Sequence, residues 1–474
     1  MNSPPGCQRA RLVQSLNHDV NILSLTTLRE LARLSLPMVV SQGAFAVMVF
    51  TDRWFMSLID PTHIAAALGG GVASFFCFSL FIGVITYANA LVAQYYGAGD
   101  FAKCPRVVTQ GMIMALACTP VLLLLGVYGG RAFSYIGHDP EQVRLESIYF
   151  QVLMVNSFFQ LVKSCMACFF SGIGRTRVVM IADLLSVLVN IPLSWALIFG
   201  KAGLPSLGIA GAAWGTVIAT LLAIAILAGF YLSKGNKLQF HVADSFHFDR
   251  AIMRRYLRLG LPSGVEGFLN FGSFNLYLLL FQSYGVAQGA AMAIVFNWDM
   301  LSFVPMAGLG IGVMSLIGRF VGAGDMARAN QVISSGFILA LAYSGTLAVL
   351  FLVFRVELVD VFAGPGHDFG EIRELASAMM IALTTYMLAD AIVIIAGGAL
   401  RGAGDTRWIM FTSTAVHWLM LAVQYVVIVE LKLQPLVSWW VFAGMLVSLA
   451  ILYSRRLYKG RWRQPDRLAR LMRE

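Results

Sequence analysis

The chain has 474 residues, of which 58% are hydrophobic and only 12% are charged. Soluble domains carry roughly 25% charged residues, and no soluble fold of this size can hide so much apolar surface from water. The composition therefore excludes an ordinary soluble protein and predicts a chain embedded in lipid. The formal net charge of +10 then has to be explained within a membrane.

Twelve apolar runs are long enough to cross a bilayer, whose hydrocarbon core needs about 20 helical residues. Barrel strands would alternate over about ten residues, and these runs do not alternate, so helices are predicted. In chain order the runs cover residues 33–56, 64–96, 106–129, 147–170, 178–199, 208–232, 258–283, 288–320, 329–354, 375–397, 408–430 and 436–454. The fold class expected is an all-α polytopic membrane protein with twelve transmembrane helices.

The first 23 residues are mixed and polar, without the apolar segment and cleavage site of a secretory signal peptide. Thr27 and Glu30 have the spacing of a capping box, which predicts a short helix leading into the first span. A chance match is the alternative. Residues 1–30 are expected to form a cytoplasmic N-terminal segment.

Basic residues are distributed unevenly between the loops. If both termini lie in the cytoplasm, 26 of the 34 lysines and arginines fall on that side and seven on the other, while Lys163 lies within a span. This bias follows the positive-inside rule and predicts a multi-pass protein of the plasma membrane, the inner membrane of a bacterium. The basic tail, 456–474, is then expected to touch anionic lipid rather than nucleic acid.

The sequence repeats itself at an offset of about 225 residues. Both copies contain a Gly-Ala-Gly-Asp (GAGD) loop, at Gly97–Asp100 and Gly322–Asp325, and a second match at offset 230 relates Gly172–Arg177 to Gly402–Arg407. Six spans precede the midpoint and six follow it, so the halves share one orientation. They are expected to be two six-helix lobes, 31–232 and 258–455, related by a pseudo-twofold axis along the membrane normal and joined by a cytoplasmic linker, 233–257.

Two motifs receive structural interpretations. The GAGD loops lack the Gly-Lys-Ser/Thr end of a phosphate-binding loop, so glycine turns at helix ends with aspartate caps are favoured. Cys165 and Cys168 form a C-x-x-C inside a span. With no second pair and no nearby histidines, packing is favoured over a redox or metal role.

Ionisable residues inside the spans are the main functional candidates, because a charge at mid-bilayer costs about 2.5–3.5 kcal/mol. The acids are Asp52, Asp183, Glu266, Asp299 and Asp390, and the bases are Arg53, Lys163 and His417. A buried carboxylate can hold a proton or a hard cation such as Na⁺. The alternatives are pairing of Asp52 with Arg53 or Lys163, solvation of Asp183, a capping or gating role for Asp299, and a wet helix start at Glu266.

The order and spacing of several motifs resemble the MATE family, the multidrug and toxic compound extrusion transporters, from about residue 30 to 455. The motifs are Val49–Asp52, Ala65–Ala67, the two GAGD loops, Gly172–Arg177, Asn190–Ser194, Leu207–Thr216, Gly260–Pro262, Asp299 before Pro305, Asp390–Ala391 and Gly397–Gly402. The resemblance implies two six-helix lobes around a cleft that opens alternately on either side. It also implies export of organic, often cationic compounds in exchange for H⁺ or Na⁺.

The resemblance further implies an ion site in each lobe. In the first lobe it falls on Asp52, Asn190 and Thr216, with Ser194 where the family often has an acid. In the second lobe it falls on Asp390, as in the NorM-like branch. That branch has a glutamate where this chain has Asn270, and Glu266 lies one turn earlier.

The main hypothesis is a secondary active antiporter. The predicted ion-coupling residues are Asp52, Asn190, Thr216, Glu266 and Asp390, and the predicted substrate or gating residues are Asp183, Ser194, Asn270, Asn297 and Asp299. We expect a monomer that contacts membrane lipid and a small organic substrate, without a cofactor, a resident metal or a nucleic-acid partner. A lipid-linked or polysaccharide flippase is the alternative, and a membrane-embedded enzyme or a passive channel is disfavoured.

Overall fold

The computed structural model describes residues 24–135, 139–363 and 369–464, and all regular structure within these ranges is helical. The first lobe contains α1 to α6: Leu25–Ser57, Pro61–Ile85 continued after a short break as Ala88–Gly97, Lys103–Gly129, Pro140–Gly172, Thr176–Phe199 and Ile209–Tyr231. The second lobe contains α7 to α12: Arg250–Gln282, Val286–Ala323, Met326–Val353, Gly370–Gly402, Thr406–Tyr425 and Pro435–Tyr458. The predicted all-helical fold is confirmed.

Eleven of these twelve helices, all but α7, are long and apolar enough to cross a membrane. The other, α7, also has 33 residues, but arginines occupy its first turns. Its remaining turns, beyond Arg258, carry a single charge, Glu266. A run of this length can span a bilayer core, so the chain is a multi-pass membrane protein with twelve helical spans.

Several helices begin before their apolar runs. Glu141 and Arg144 lie in the first turns of α4, and α7 starts at Arg250, eight residues before the predicted run, where Asp249 accepts hydrogen bonds from two backbone amides. The short leading helix predicted from Thr27 and Glu30 is wrong, because both residues lie within α1. An apolar run marks only the part of a helix that lipid surrounds, whereas polar turns extend the same helix beyond it.

Parts of the predicted termini cannot be compared with the structure. Residues 1–23 of the N-terminal segment and 465–474 of the basic tail lie outside the described residues. Within the predicted linker, Lys234–Phe240 forms a short helix.

Both GAGD loops form glycine turns at helix ends, as predicted, but the predicted aspartate cap is found only at the second loop. The helix after the first loop starts at Lys103, with Ala102 as its N-cap residue and no side-chain capping hydrogen bond. Gly99 and Gly324 have φ angles of +81° and +74°, a left-handed conformation that glycine adopts without steric cost. Asp325 caps α9, since its carboxylate accepts a hydrogen bond of 3.0 Å from the backbone amide of Arg328. We call the end of the bundle that carries these loops the GAGD end.

Contacts between the lobes repeat with the offset found in the sequence. A Cβ placed on Gly83 of α2 would lie 2.7 Å from Gly264 Cα of α7, and one placed on Gly308 of α8 would lie 2.6 Å from Val39 N of α1. Gly83 and Gly308 are 225 positions apart, and so are Val39 and Gly264. Residue pairs that exchange in this way are the signature of a two-fold relation, which supports the pseudo-twofold axis.

Each lobe has its own hydrophobic core, but the first helix of each lobe also reaches into the core of the other. Leu31 of α1 packs in the second-lobe core, and Tyr256 of α7 packs in the first-lobe core, where its hydroxyl donates to Ile85 O at 2.6 Å. Leu31 and Tyr256 are again 225 positions apart. The lobes are therefore interlocked near the GAGD end.

Adding a methyl group at Gly83 or Gly308 tests this packing. Gly83→Ala and Gly308→Ala would each push a Cβ into the backbone of the opposite lobe. We therefore expect each change to lower the free energy of unfolding by roughly 1–3 kcal/mol. Gly345→Ala in α9 is the matched control, because nothing lies within 4 Å of the added Cβ, and it should be neutral or stabilising by up to about 1 kcal/mol. Thermal unfolding of purified protein measures all three, and equal midpoints would contradict the close lobe contact.

Candidate functional site

The first-lobe candidates meet where α1, α5 and α6 converge. Asp52 on α1 is 7% exposed, and one of its carboxylate oxygens accepts a 3.3 Å hydrogen bond from the Thr216 hydroxyl on α6. Ser194 on α5 lies beside the same carboxyl group. The structure therefore brings Asp52, Ser194 and Thr216 together.

Small residues make this convergence possible. A Cβ on Gly215 of α6 would lie 3.2 Å from Ser194 Cα, and one on Gly211 would lie 2.6 Å from the Leu197 carbonyl carbon. Both glycines face α5, so the two backbones approach closely. This close approach places Thr216, the residue after Gly215, next to Ser194.

The asparagine predicted for this site is also buried near Asp52's partners. Asn190 is fully buried one turn before Ser194, and neither polar atom of its side chain has a hydrogen-bond partner. Asp52 and Ser194 are buried next to each other in the same region. Buried polar groups are normally satisfied by hydrogen bonds. The oxygen-rich set fits a hydrated proton or a small hard cation.

Asp183, a predicted substrate or gating residue, is paired rather than free. Its carboxylate lies 2.7 Å from Lys163 Nζ of α4 and accepts a hydrogen bond from Ser41 Oγ of α1. Both charged side chains are mostly buried, so the solvated alternative for Asp183 is wrong. The alternative that Lys163 pairs with Asp52 is also wrong. Arg53, the other base considered as a partner of Asp52, is exposed.

The second lobe brings two acids together without a base. Asp299 on α8 and Asp390 on α10 lie close enough for their charges to interact, and no basic side chain pairs with either among the residues that the structure describes. Tyr386, one turn before Asp390, is buried, and its hydroxyl has no hydrogen-bond partner. This tyrosine lies near both carboxyl groups.

Glycines again explain the close approach of the helices. A Cβ on Gly398 of α10 would lie 2.9 Å from Gly310 O of α8, and one on Gly310 would lie 2.8 Å from Ile394. The backbones of α8 and α10 therefore approach closely at Gly310 and Gly398.

Glu266, a predicted ion-coupling residue, forms an ion pair with Arg401 at the end of α10. Arg401 Nη2 lies 2.8 and 2.9 Å from the two carboxylate oxygens, and Glu266 is buried. The alternative that Glu266 lies at a hydrated helix start is wrong, because α7 begins at Arg250, four turns before Glu266. Sequence reasoning missed Arg401 as a partner, since it was counted among the loop charges.

The remaining polar candidates are used in contacts between or within helices. Asn270 on α7 donates to Ser413 Oγ on α11 at 2.8 Å. Asn297 donates to Ala293 O of its own helix at 2.8 Å and is exposed. Neither observation places these residues beside Asp390.

One buried acid escaped the sequence analysis. Glu146 on α4 is fully buried and accepts a 2.9 Å hydrogen bond from Gln142. It fits against α2 because Gly69 has no side chain, and a Cβ there would lie 2.6 Å from Glu146 Oε1. The predicted span began at residue 147 and left Glu146 out. The glycine run Gly69–Gly71 was the sequence feature that could have indicated a close helix contact at this point.

The C-x-x-C pair is part of the core. Cys165 Sγ lies 3.2 Å from Val108 O, and Cys168 Sγ lies 3.5 Å from Thr86 O, so the two thiols face different carbonyl groups. Both are free thiols. The packing interpretation accounts for these contacts.

Comparison with known proteins agrees with this architecture. The probable multidrug resistance protein NorM of Bradyrhizobium diazoefficiens is 26% identical over 437 residues, 90% of this chain and 94% of that protein. The multidrug resistance protein PmpM of Pseudomonas aeruginosa is 26% identical over 404 residues, 82% of each chain. These relatives are named as multidrug resistance proteins and align with both lobes.

Solved structures show the same fold. A MOP superfamily transporter from Pyrococcus furiosus superposes with a TM-score of 0.83 at 18% identity, covering 97% of this chain and 99% of that one. The eukaryotic MATE transporter AtDTX14 superposes with a TM-score of 0.81 at 18% identity, covering 94% and 99%. At this identity the likeness concerns the fold alone.

The MatE family model matches residues 37–196 and 262–426, one segment in each lobe. The two segments cover more than half of the chain, and the relatives align over most of its length. The chain therefore belongs to the MATE family of multidrug efflux transporters.

Proposed function

We propose that this protein is a secondary active antiporter that exports organic, cationic compounds in exchange for H⁺ or Na⁺. The observation that carries the proposal is the uneven pairing of acids inside the bundle. Asp183 and Glu266 have basic partners, whereas Asp52, Asp299 and Asp390 have none among the residues that the structure describes. An unpaired acid in a membrane protein needs a bound cation or proton to offset its cost.

In the first lobe, Asp52 would hold the driving ion with Asn190, Ser194 and Thr216 as neutral oxygen ligands. The unsatisfied atoms of this pocket support that role, because a small cation or a protonated water would satisfy them. Binding shifts the balance between inward- and outward-open states only if the ion prefers one of them. Release of the ion in the other state would complete the exchange.

In the second lobe, we propose that Asp390 works with Asp299 rather than with Glu266. Two neighbouring carboxyl groups without a base repel each other when both are ionised, so we expect the pair to retain a proton or a cation. Cationic cargo could displace that ion and take its place. Glu266 is already neutralised by Arg401, which leaves it no free charge for this exchange.

The distribution of basic residues supports an orientation with the GAGD end and both termini in the cytoplasm of a bacterial inner membrane. The protein would act as a monomer, contact lipid directly, and catalyse no covalent reaction. A flippase for anionic lipid-linked sugars would need unpaired bases in its cavity. Lys163 and Arg401 are both paired with acids, so no observation favours that alternative.

Neutralising either unpaired acid should reduce transport. We expect Asp52→Asn and Asp390→Asn each to lower gradient-driven efflux of ethidium from proteoliposomes at least ten-fold, because the amide cannot exchange an ion. Imposed H⁺ and Na⁺ gradients, applied separately, identify the driving ion. Asp244→Asn, a change at an exposed acid of the linker, is the matched control and should transport normally. Full activity of both Asp52→Asn and Asp390→Asn would remove the proposed coupling sites.

Glu266, which is paired, and Asp299, which is not, should respond differently to neutralisation. Glu266→Gln leaves the Arg401 guanidinium without its partner, so we expect a stability loss of about 3–5 kcal/mol that Glu266→Gln/Arg401→Met largely restores. Asp299→Asn removes a repulsion and should leave stability equal or higher while lowering efflux. Thermal unfolding and ethidium efflux separate these outcomes. Unchanged efflux in Asp299→Asn, or unchanged stability in Glu266→Gln, would contradict the assignment.

A further inference from the structure

One amide side chain of the first lobe joins two helices of the second lobe at the GAGD end. Gln94, on the second segment of α2, is fully buried. Its Nε2 donates to Gly402 O at the end of α10, and its Oε1 accepts from Arg255 Nη2 of α7, both at 2.8 Å. The Arg255 guanidinium also stacks over the Tyr95 ring at 4.7 Å.

The internal repeat provides an equivalent contact on the other side of the axis. Arg319 of α8 is 225 positions after Gln94, and Arg255 is 225 positions after Glu30 of α1. Arg319 lies 3.6 Å from Glu30 and over the Tyr96 ring at 5.2 Å. The two contacts, Gln94–Arg255 and Arg319–Glu30, therefore connect the lobes at matching places.

The matching contacts differ in burial. Arg255 is 5% exposed and Gln94 is 0% exposed, whereas the Arg319 and Glu30 side chains are 39% and 40% exposed. Exposed ion pairs contribute little because water screens them, but a buried hydrogen bond to a charged group is strong, since separating it leaves both partners unsatisfied. The Gln94 contact is consequently the one that resists separation of the lobes.

We propose that Gln94 is a positioning residue of the transport cycle, which holds the GAGD end closed by bridging Arg255 and the end of α10. The bridge sets the share of molecules that open toward this end, and cargo entering from this side can bind only those molecules. This inference rests on the alternating exchange proposed above. It adds a specific residue that sets the balance between the two states.

The tertiary contacts around Gln94 support a role in opening rather than in binding cargo. The Tyr87 hydroxyl of α2 donates to Arg401 O at 3.1 Å, next to the Gly402 carbonyl that Gln94 holds. The backbone at Gln94 lies against Gly322, so a Cβ added to Gly322 would clash with the Gln94 carbonyl oxygen. Opening of this end has to break these contacts together, and Gln94 contributes the buried, charge-assisted hydrogen bond.

The experiment compares Gln94→Leu with the wild type in proteoliposomes of known orientation. The apparent affinity of a state that is rarely populated scales with its population. Loss of the bridge should therefore lower the ethidium KM at the GAGD side roughly ten-fold and leave the KM at the other side unchanged. Glu30→Gln, which breaks the equivalent exposed contact, should change either KM less than two-fold.

Hydrogen exchange gives a second measurement that does not depend on transport. Amides of residues 88–97 and 395–402 should exchange about ten-fold faster in Gln94→Leu, while those of the α5–α6 contact keep wild-type rates. Equal KM changes on both sides, or unchanged exchange, would overturn the proposal. An effect of Glu30→Gln as large as that of Gln94→Leu would also overturn it. Absence of gradient-driven efflux in the wild type would instead refute the antiport function, and hydrogen exchange would still test the bridge.

Discussion

Placing an ionised side chain inside a lipid-spanning helix bundle costs free energy, and the arrangement of acids and bases in this protein follows from that cost. Lys163 neutralises Asp183, and Arg401 neutralises Glu266, so these acids connect helices and carry no net charge. Within residues 24–135, 139–363 and 369–464, Asp52 and the pair Asp299–Asp390 have no such basic partner. Their charge has to be offset by something that the chain does not supply, which is the physical condition for binding and exchanging an ion.

The two lobes share a scaffold but not a site. The residue 225 positions after Asp52 is Tyr277, a buried side chain stacked on Phe442 with ring centroids 5.3 Å apart. The residue 225 positions before Glu266 is Ser41, which bonds Asp183. The repeat thus preserved the helix packing, while the unpaired acids lie on different helices in each half: Asp52 on the first helix of its lobe, Asp299 and Asp390 on the second and fourth helices of theirs.

Glycine residues allow close backbone contact between the lobes and within them. Gly83, Gly264 and Gly308 bring helices of opposite lobes into contact, and Gly211 and Gly215 bring α5 against α6 within a lobe. Contacts of this kind are close but carry few side-chain hydrogen bonds. The buried polar bridge at Gln94 adds the directional bond that such a surface otherwise lacks.

The sequence by itself determined the twelve helices, the repeat, the GAGD turns and the family, because each depends on local apolar length, periodic glycines or motif order. It also identified five acids inside the spans. Only the tertiary structure decided which of them are neutralised, since Glu266 and Arg401 are 135 residues apart and Asp52 and Thr216 are 164 apart. Helical periodicity fixes the face of a residue on its own helix, whereas the rotation of each helix against its neighbours is set by packing. That rotation placed Arg401 on Glu266 and Asp299 beside Asp390.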